Sequence, residues 1–236
     1  MSRFLMVMTL VAGSAALGGD PLGASQDAAR PSAPARATSV KPAPLTPAPL
    51  KIVAFGDSLT SGHRLPKNDS YPAVLERSLR DAGLPFTVVN HGLNGDTTGG
   101  ALRRLNAALA EQPQILIVAF GANDGLRGVP VKQVKDNLEK IIETAQDRDV
   151  KVLLVGMEAL PLYGWQYTVD FHNIFPDLAE KFDVPLVPFM LNGILGNPDL
   201  MGQDGIHPNA AGARLMAGNV WTELRPLAQK LIAAAD

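Results

Sequence analysis

From residue 51 onward the chain alternates between short, largely apolar runs and longer stretches in which apolar residues recur every three or four positions. The short runs are Lys51 to Phe55, Phe86 to Val89, Ile115 to Phe120, Val150 to Val155 and Pro185 to Phe189. Apolar without alternation, they predict strands covered on both faces, as in a parallel sheet. Between them, Val74, Leu75 and Leu79 form one helical stripe closed by Gly83, and Leu102, Leu105 and Leu109 form a second. Val131, Val134, Leu138, Ile141, Ile142 and Ala145 make a third. A fourth helix is expected through Ile174, Leu178 and Phe182, and a last one from Ala210 to about Ile232, broken or kinked at Pro226. Strands and helices that alternate in this way, joined by right-handed crossovers, predict an α/β fold: a central parallel sheet of about five strands with helices on both faces.

In open sheets of this kind the ligand crevice lies beyond the carboxyl ends of the strands, so residues with chemistry should cluster just after each strand. They do. Gly56-Asp57-Ser58-Leu59-Thr60 follows the first run, Asn90 to Thr98 the second, and Gly121-Ala122-Asn123-Asp124-Gly125 the third; Asp204-Gly205-Ile206-His207-Pro208-Asn209 precedes the last helix. A serine becomes a useful nucleophile when an imidazole takes its proton and an acceptor fixes that imidazole's other nitrogen. Ser58 is placed for the first role. His207 and Asp204, on one tight loop, supply the other two if that loop is carried over the end of the first strand. Attack on an acyl carbon also needs donors aimed at the developing oxyanion. The Asn123 amide, the unshielded backbone N–H of Gly95 and the backbone N–H of Ser58 are the candidates.

Composition narrows the setting. With 46% hydrophobic residues among 236, the chain can bury a substantial core. It has no cysteine, which excludes disulfides, thiolate metal sites and a cysteine nucleophile. Arg3, the apolar run Phe4 to Ala12 and the small residues Gly13, Ser14, Ala15, Ala16, Gly18 and Gly19 have the order of a secretory signal peptide, so residues 1–19 are expected to direct export to the periplasm or the medium. That run is too short to span a membrane. Residues 20–50, with seven prolines among many alanines and no aromatic residue, read as a disordered tether. The catalytic-sized domain is then 51–236, with 17 basic and 21 acidic groups. A net negative domain of this kind is a poor partner for nucleic acid.

The four motifs, in this order, resemble those of the SGNH hydrolases (GDSL lipases and esterases), specifically the secreted thioesterase I, lysophospholipase and arylesterase branch. Gly-Asp-Ser-Leu at 56 to 59, Gly-Asp-Thr at 95 to 97, Gly-Ala-Asn-Asp-Gly-Leu-Arg-Gly at 121 to 128 and Asp-Gly-Ile-His-Pro-Asn at 204 to 209 carry the resemblance, with Phe-Asp-Val-Pro-Leu at 182 to 186. It implies a flavodoxin-like three-layer α/β/α fold and hydrolysis of esters and thioesters with no metal or other cofactor. It also implies Ser58, Asp204 and His207 as the catalytic triad, and Ser58, Gly95 and Asn123 as the oxyanion hole. The expected partner is a small acyl ester or thioester, and a monomer is expected. One segment departs from the family pattern: after the fourth strand, where relatives carry Pro-x-Asn-Tyr-Gly, this chain reads Pro161-Leu162-Tyr163-Gly164.

Other readings compete residue by residue. Ser58 has the helix-capping alternative, and Asp57 and Asp124 read as turn or structural hydrogen-bonding residues. His63, His91 and His172 lack an aspartate at matched spacing and are assigned structural or peripheral places. A zinc site built from His207, Asp204 and another histidine has no metal-binding helix motif behind it. Gly125 to Gly128 is a candidate mobile lip, and Trp165 and Tyr167 are expected to pack in the core or line an acyl entrance. A different class of function also fits the architecture: a flavodoxin-like module in which Ser58-Leu59-Thr60-Ser61-Gly62 cradles a flavin phosphate, a reading opposed by Asp57 and with no use for Asp204 or His207. A catalytically inactive interaction module would share the fold.

Overall fold

The computed structural model describes residues 50–234. The expected signal segment lies outside these residues, as does the tether except for Leu50, which opens the first strand. Five parallel strands, β1 (Leu50–Gly56), β2 (Phe86–Gly92), β3 (Ile115–Ala119), β4 (Lys151–Val155) and β5 (Leu186–Val187), form one sheet in the order β2-β1-β3-β4-β5. The step from β1 to β2 runs one way along the sheet and all later steps run the other. Right-handed crossovers therefore put the connecting helices on opposite faces. α2 (Tyr71–Asp81) packs with the C-terminal α7 (Ala210–Ala233), while α3 (Thr98–Leu109), α5 (Val131–Gln146) and α6 (Trp165–Phe182) pack in sequence on the other face. The short helices α1 (Ser58–Ser61) and α4 (Ala122–Arg127) begin two and three residues past the ends of β1 and β3. The three-layer, flavodoxin-like expectation is met, and the reversal of strand order falls between β1 and β3.

The core is the shared apolar face of these layers. Ile52 to Phe55, Ile115 to Val118 and Leu153 to Val155 are wholly buried, as are Leu138, Ile141 and Ile142 of α5. Two sequence expectations are corrected. β2 is not covered on both faces: it is an edge strand in which Thr87 and Asn90 are exposed and Val88 and Val89 only half-buried. The last helix is not broken at Pro226 but continues through it to Ala233. Pro226 forfeits one backbone hydrogen bond inside a long helix whose neighbouring turns are anchored by the buried residues Val220, Leu224 and Ala228.

The register brings the ends of three strands level, since Gly56 of β1 pairs with Gly92 of β2 and with Ala119 of β3. The three motifs that follow these strands thus start from one rim. Gly92 is glycine because α1 lies against it: a Cβ there would run into the backbone of Thr60 and Ser61. Gly92→Ala should displace α1 and cost about 1–3 kcal/mol, the usual scale of overpacking. Chemical denaturation of the purified variant measures it, and unchanged stability would show that α1 is not held by this contact.

Candidate active site

Asp57 caps α1, its Oδ1 accepting the Leu59 N–H at 3.0 Å. Ser58 is therefore the first helical residue, and its backbone N–H, one of the unpaired donors of a helix start, has no acceptor among the described residues. The cap does not consume the Ser58 hydroxyl. Instead Ser58 Oγ lies 2.9 Å from His207 Nε2, and His207 Nδ1 lies 2.9 Å from Asp204 Oδ2. One imidazole thus joins a hydroxyl and a carboxylate, bridging 149 residues of chain.

The loop carrying Asp204 and His207 is built locally. Asp204 Oδ1 accepts the backbone N–H groups of Ile206 and His207, each at 3.0 Å, and Gly205 takes the left-handed conformation (φ 66°) that closes the turn. Gly202 N–H donates to His207 O at 2.7 Å, and Met201 and Pro208 form an antiparallel bridge. Asn209 then caps α7 by accepting from Ala211 and Gly212. Bonds from the His207 backbone and ring, then the Ile206 N–H, hold the Asp204 carboxyl far below the usual carboxylate range. It therefore stays ionised opposite the imidazole. Arg64 Nη1 approaches Asp204 Oδ2 at 3.4 Å from a largely exposed side chain, a contact worth little in water.

Asn123 sits in the first turn of α4, where its Nδ2 donates to Asp57 Oδ2 at 3.3 Å. An amide nitrogen has two N–H donors, so one fixes the side chain and one is left for a ligand. Asp57 is the structural residue expected: buried, with desolvation pushing its pKa up to about 7 against the lowering effect of the Leu59 N–H and Asn123. Gly95 has φ 74°, and its N–H has no acceptor among the described residues. Its carbonyl accepts from Arg127 Nη2 at 2.9 Å, tying this loop to α4.

Asp124 does more than turn the chain. It is buried, its pKa is raised by desolvation, and it accepts from the Thr98 hydroxyl at 2.7 Å and from the Thr98 N–H, clamping the start of α3 to α4. Sequence reasoning missed Arg104. Its Nε meets Asp96 Oδ2 at 2.6 Å, its Nη1 and Nη2 donate to His91 O and Gly56 O at 2.8 Å each, and its guanidinium lies over Phe55. One arginine thus pins the ends of β1 and β2 and the loop between Gly92 and Thr97. Nothing in the apolar spacing of α3 signals it.

An apolar cavity of about 310 Å³ opens beside Ser58, Asn123 and His207, walled by Leu59, Leu126, Met157, Leu160, Phe189 and Ile206. A wider, open groove along α2 and β2 is lined by polar and charged side chains such as Lys67, Glu76, Arg77 and Arg80 and lies apart from the imidazole. The expected lip Gly125 to Gly128 is not a loose loop: it is the end of α4 and its cap, held by Arg127 on Gly95 O, by Tyr163 Oη on Leu126 O at 3.1 Å and by Tyr167 Oη on Val129 O at 2.9 Å. Tyr167 packs against Phe171, whereas Trp165 is 74% exposed and belongs to neither core nor cavity.

His91 and His172 are peripheral as expected, paired with Glu111 and Glu158. His63 is not: its ring lies 4.5 Å from that of His207. The phosphate-cradle alternative loses two of its hydroxyl donors, because the Thr60 hydroxyl is buried on Tyr71 Oη and Ser61 Oγ reaches Ser58 O and Asn94 Oδ1.

The fold, a flavodoxin-like parallel sheet, and the motifs gathered at its rim are those of hydrolases of the SGNH type. The model of the GDSL-like lipase/acylhydrolase family matches residues 54–215, and the chain belongs to that family. It is 38% identical over 175 residues to an arylesterase of Vibrio mimicus, covering 74% of this chain and 88% of that one. It is 35% identical over 177 residues to thioesterase 1/protease 1/lysophospholipase L1 of Escherichia coli (strain K12), covering 75% and 84%. The crystal structure of TesA superposes with a TM-score of 0.72 at 37% identity, over 75% of this chain and 99% of that one.

Burial favours the neutral form of Asp57 in the fold, whereas in the unfolded chain it ionises near 3.8. The native state therefore keeps a proton that the unfolded state gives up, and the group's contribution to stability is full below about pH 4 and is lost as pH rises through about 7. Relative to Asp57→Asn, the wild type should lose stability across that interval when both are denatured at a series of pH values. Parallel curves would show that the carboxyl ionises normally.

Proposed function

We propose that the chain is a serine esterase that hydrolyses carboxylic esters and thioesters through an acyl-enzyme on Ser58. The reading rests above all on the doubly bonded imidazole, with His207 at 2.9 Å from both Ser58 Oγ and Asp204 Oδ2. His207 Nε2 takes the Ser58 proton as Oγ attacks the acyl carbon, and Asp204 holds the Nδ1–H and stabilises the imidazolium. The carbonyl oxygen, now an oxyanion, is received by the N–H groups of Ser58 and Gly95 and by the free N–H of Asn123. His207 then protonates the leaving alcohol or thiol. In the second half, water loses a proton to His207, attacks the acyl-enzyme and releases the acid and the Ser58 hydroxyl.

The apolar cavity receives the acyl chain, and its size suits short to medium acids. The names of the relatives, an arylesterase and a thioesterase/lysophospholipase, support both oxygen and sulfur leaving groups. The charge and apolar pattern of residues 1–19 supports export to the periplasm or medium. No helix among the described residues is long and apolar enough to cross a membrane.

An organophosphonate probe followed by mass spectrometry should add one adduct on Ser58, and Ser58→Ala should fold normally, take no label and release no nitrophenol from acyl nitrophenyl esters. Normal turnover by that variant would end the proposal. Asn123→Ala should lower kcat by roughly 10²- to 10³-fold with a smaller change in KM, because its amide is asked to bind charge that exists only in the transition state. A change confined to KM would reassign Asn123 to ground-state binding.

A further inference from the structure

His63 was set aside on sequence because no aspartate accompanies it, yet the fold supplies one from elsewhere. Its ring lies 4.5 Å from that of His207 at an interplanar angle of 52°. One ligand atom from each of His63, Asp204 and His207 lies within 4.8 Å of the other two, and all three residues are only partly buried. Two imidazoles and a carboxylate with an open fourth position make a donor set suited to zinc. We propose that His63, Asp204 and His207 form a reversible inhibitory site for Zn²⁺ or a similar borderline-soft divalent cation.

The outer partners are in place. His63 Nδ1 lies 3.0 Å from Asn94 Nδ2, and Asn94 Oδ1 is in turn bonded to Ser61 Oγ. With the Asn94 amide turned over, its oxygen accepts the Nδ1–H of His63 and its nitrogen donates to Ser61 Oγ, so both contacts persist. The His63 Nε2 lone pair is then free for a metal, and the ring is oriented by a hydrogen bond on its other nitrogen, as metal-binding histidines generally are. The opposing charge is Arg64, whose guanidinium sits 3.4 Å from Asp204 Oδ2 on a side chain 68% exposed, free to swing into solvent.

Inhibition follows from counting lone pairs and rests on the esterase reading above. A neutral imidazole has one lone pair. If the cation takes His207 through Nδ1, it replaces the proton that Asp204 holds; if through Nε2, it blocks Ser58. In either case His207 ceases to be a base. Magnesium and calcium, which prefer oxygen ligands, should leave the enzyme active.

The test is titration of the full chain with ZnCl₂, followed both by calorimetry and by hydrolysis of a nitrophenyl ester, with Co²⁺ absorption as a separate report on nitrogen ligation. Binding of one ion per chain, loss of activity with the same midpoint and recovery on adding EDTA are expected. His63→Phe keeps a ring against His207 without a ligating nitrogen. It should stay active and need at least about tenfold more zinc in both readouts, since loss of even an outer partner costs that much. His63→Ala should behave likewise, and Arg64→Ala should bind more tightly. Unchanged zinc affinity in both His63 variants, no zinc binding, or full activity with zinc bound would each overturn the proposal. A chain that hydrolyses no ester but still binds one zinc through His63 would overturn the esterase reading and leave the metal site standing.

Discussion

The contact between His207 Nε2 and Ser58 Oγ joins two parts of the chain 149 residues apart, and every chemical role assigned here depends on it. A single hydrogen bond between partly exposed groups contributes about 1 kcal/mol, too little to hold two loops together. The geometry must be imposed from both sides. On the serine side, the register that levels Gly56, Gly92 and Ala119 sets where α1 begins, and Gly92 lets α1 sit directly on β2. On the histidine side, Asp204 binds the backbone of the residues that follow it before it binds the imidazole, and the capped start of α7 anchors the far end of the loop. The hydrogen bond is the consequence of two rigid frames meeting.

Beneath that contact lie three buried carboxylates, Asp57, Asp96 and Asp124, of which only Asp96 has a cation in direct contact. Each fastens a different motif: Asp57 the Asn123 amide, Asp96 the Arg104 guanidinium, Asp124 the start of α3. Apolar side chains in these places would avoid the desolvation that raises Asp57 and Asp124, but would leave Asn123 without a fixed orientation. On the proposed reading, stability is given up here for a donor already aimed when substrate arrives, which is where electrostatic catalysis gains most.

Much of this was legible because chemistry and fold share the same punctuation. Gly56, Gly121 and the turn around Gly205 end or interrupt apolar runs and carry the candidate residues beside them, so Ser58, Asn123, Asp204 and His207 stand out in the sequence itself. The strands and most helices were legible for the same reason. What could not be read depends on lateral distance. Nothing in Phe86 to Val89 says that it is an edge strand, because apolar spacing does not reveal neighbours. Arg104 occupies an unremarkable polar position of α3 and His63 has no acidic residue near it in sequence; each gains its place only when β1, β2 and the last loop are brought together.

The apolar cavity beside Ser58 is walled partly by motif residues, Leu59, Leu126 and Ile206, and partly by residues outside the motifs, Met157, Leu160 and Phe189. Leu126 and Leu160 belong to α4 and to the segment after β4, and the two segments are fastened to each other by Tyr163, whose hydroxyl meets Leu126 O and whose ring covers Gly128. Tyr163 stands in the one stretch, Pro161 to Gly164, where this chain departs from the family pattern. The Ser58–His207 pair is positioned by the sheet rim and the loop before α7, whereas α4, which carries Asn123, is held directly by Tyr163. On the proposed reading, the outer wall at Leu160 can vary while the Ser58–His207 contact stays fixed, whereas Leu59 and Ile206 tie the inner wall to the same motifs that carry that contact.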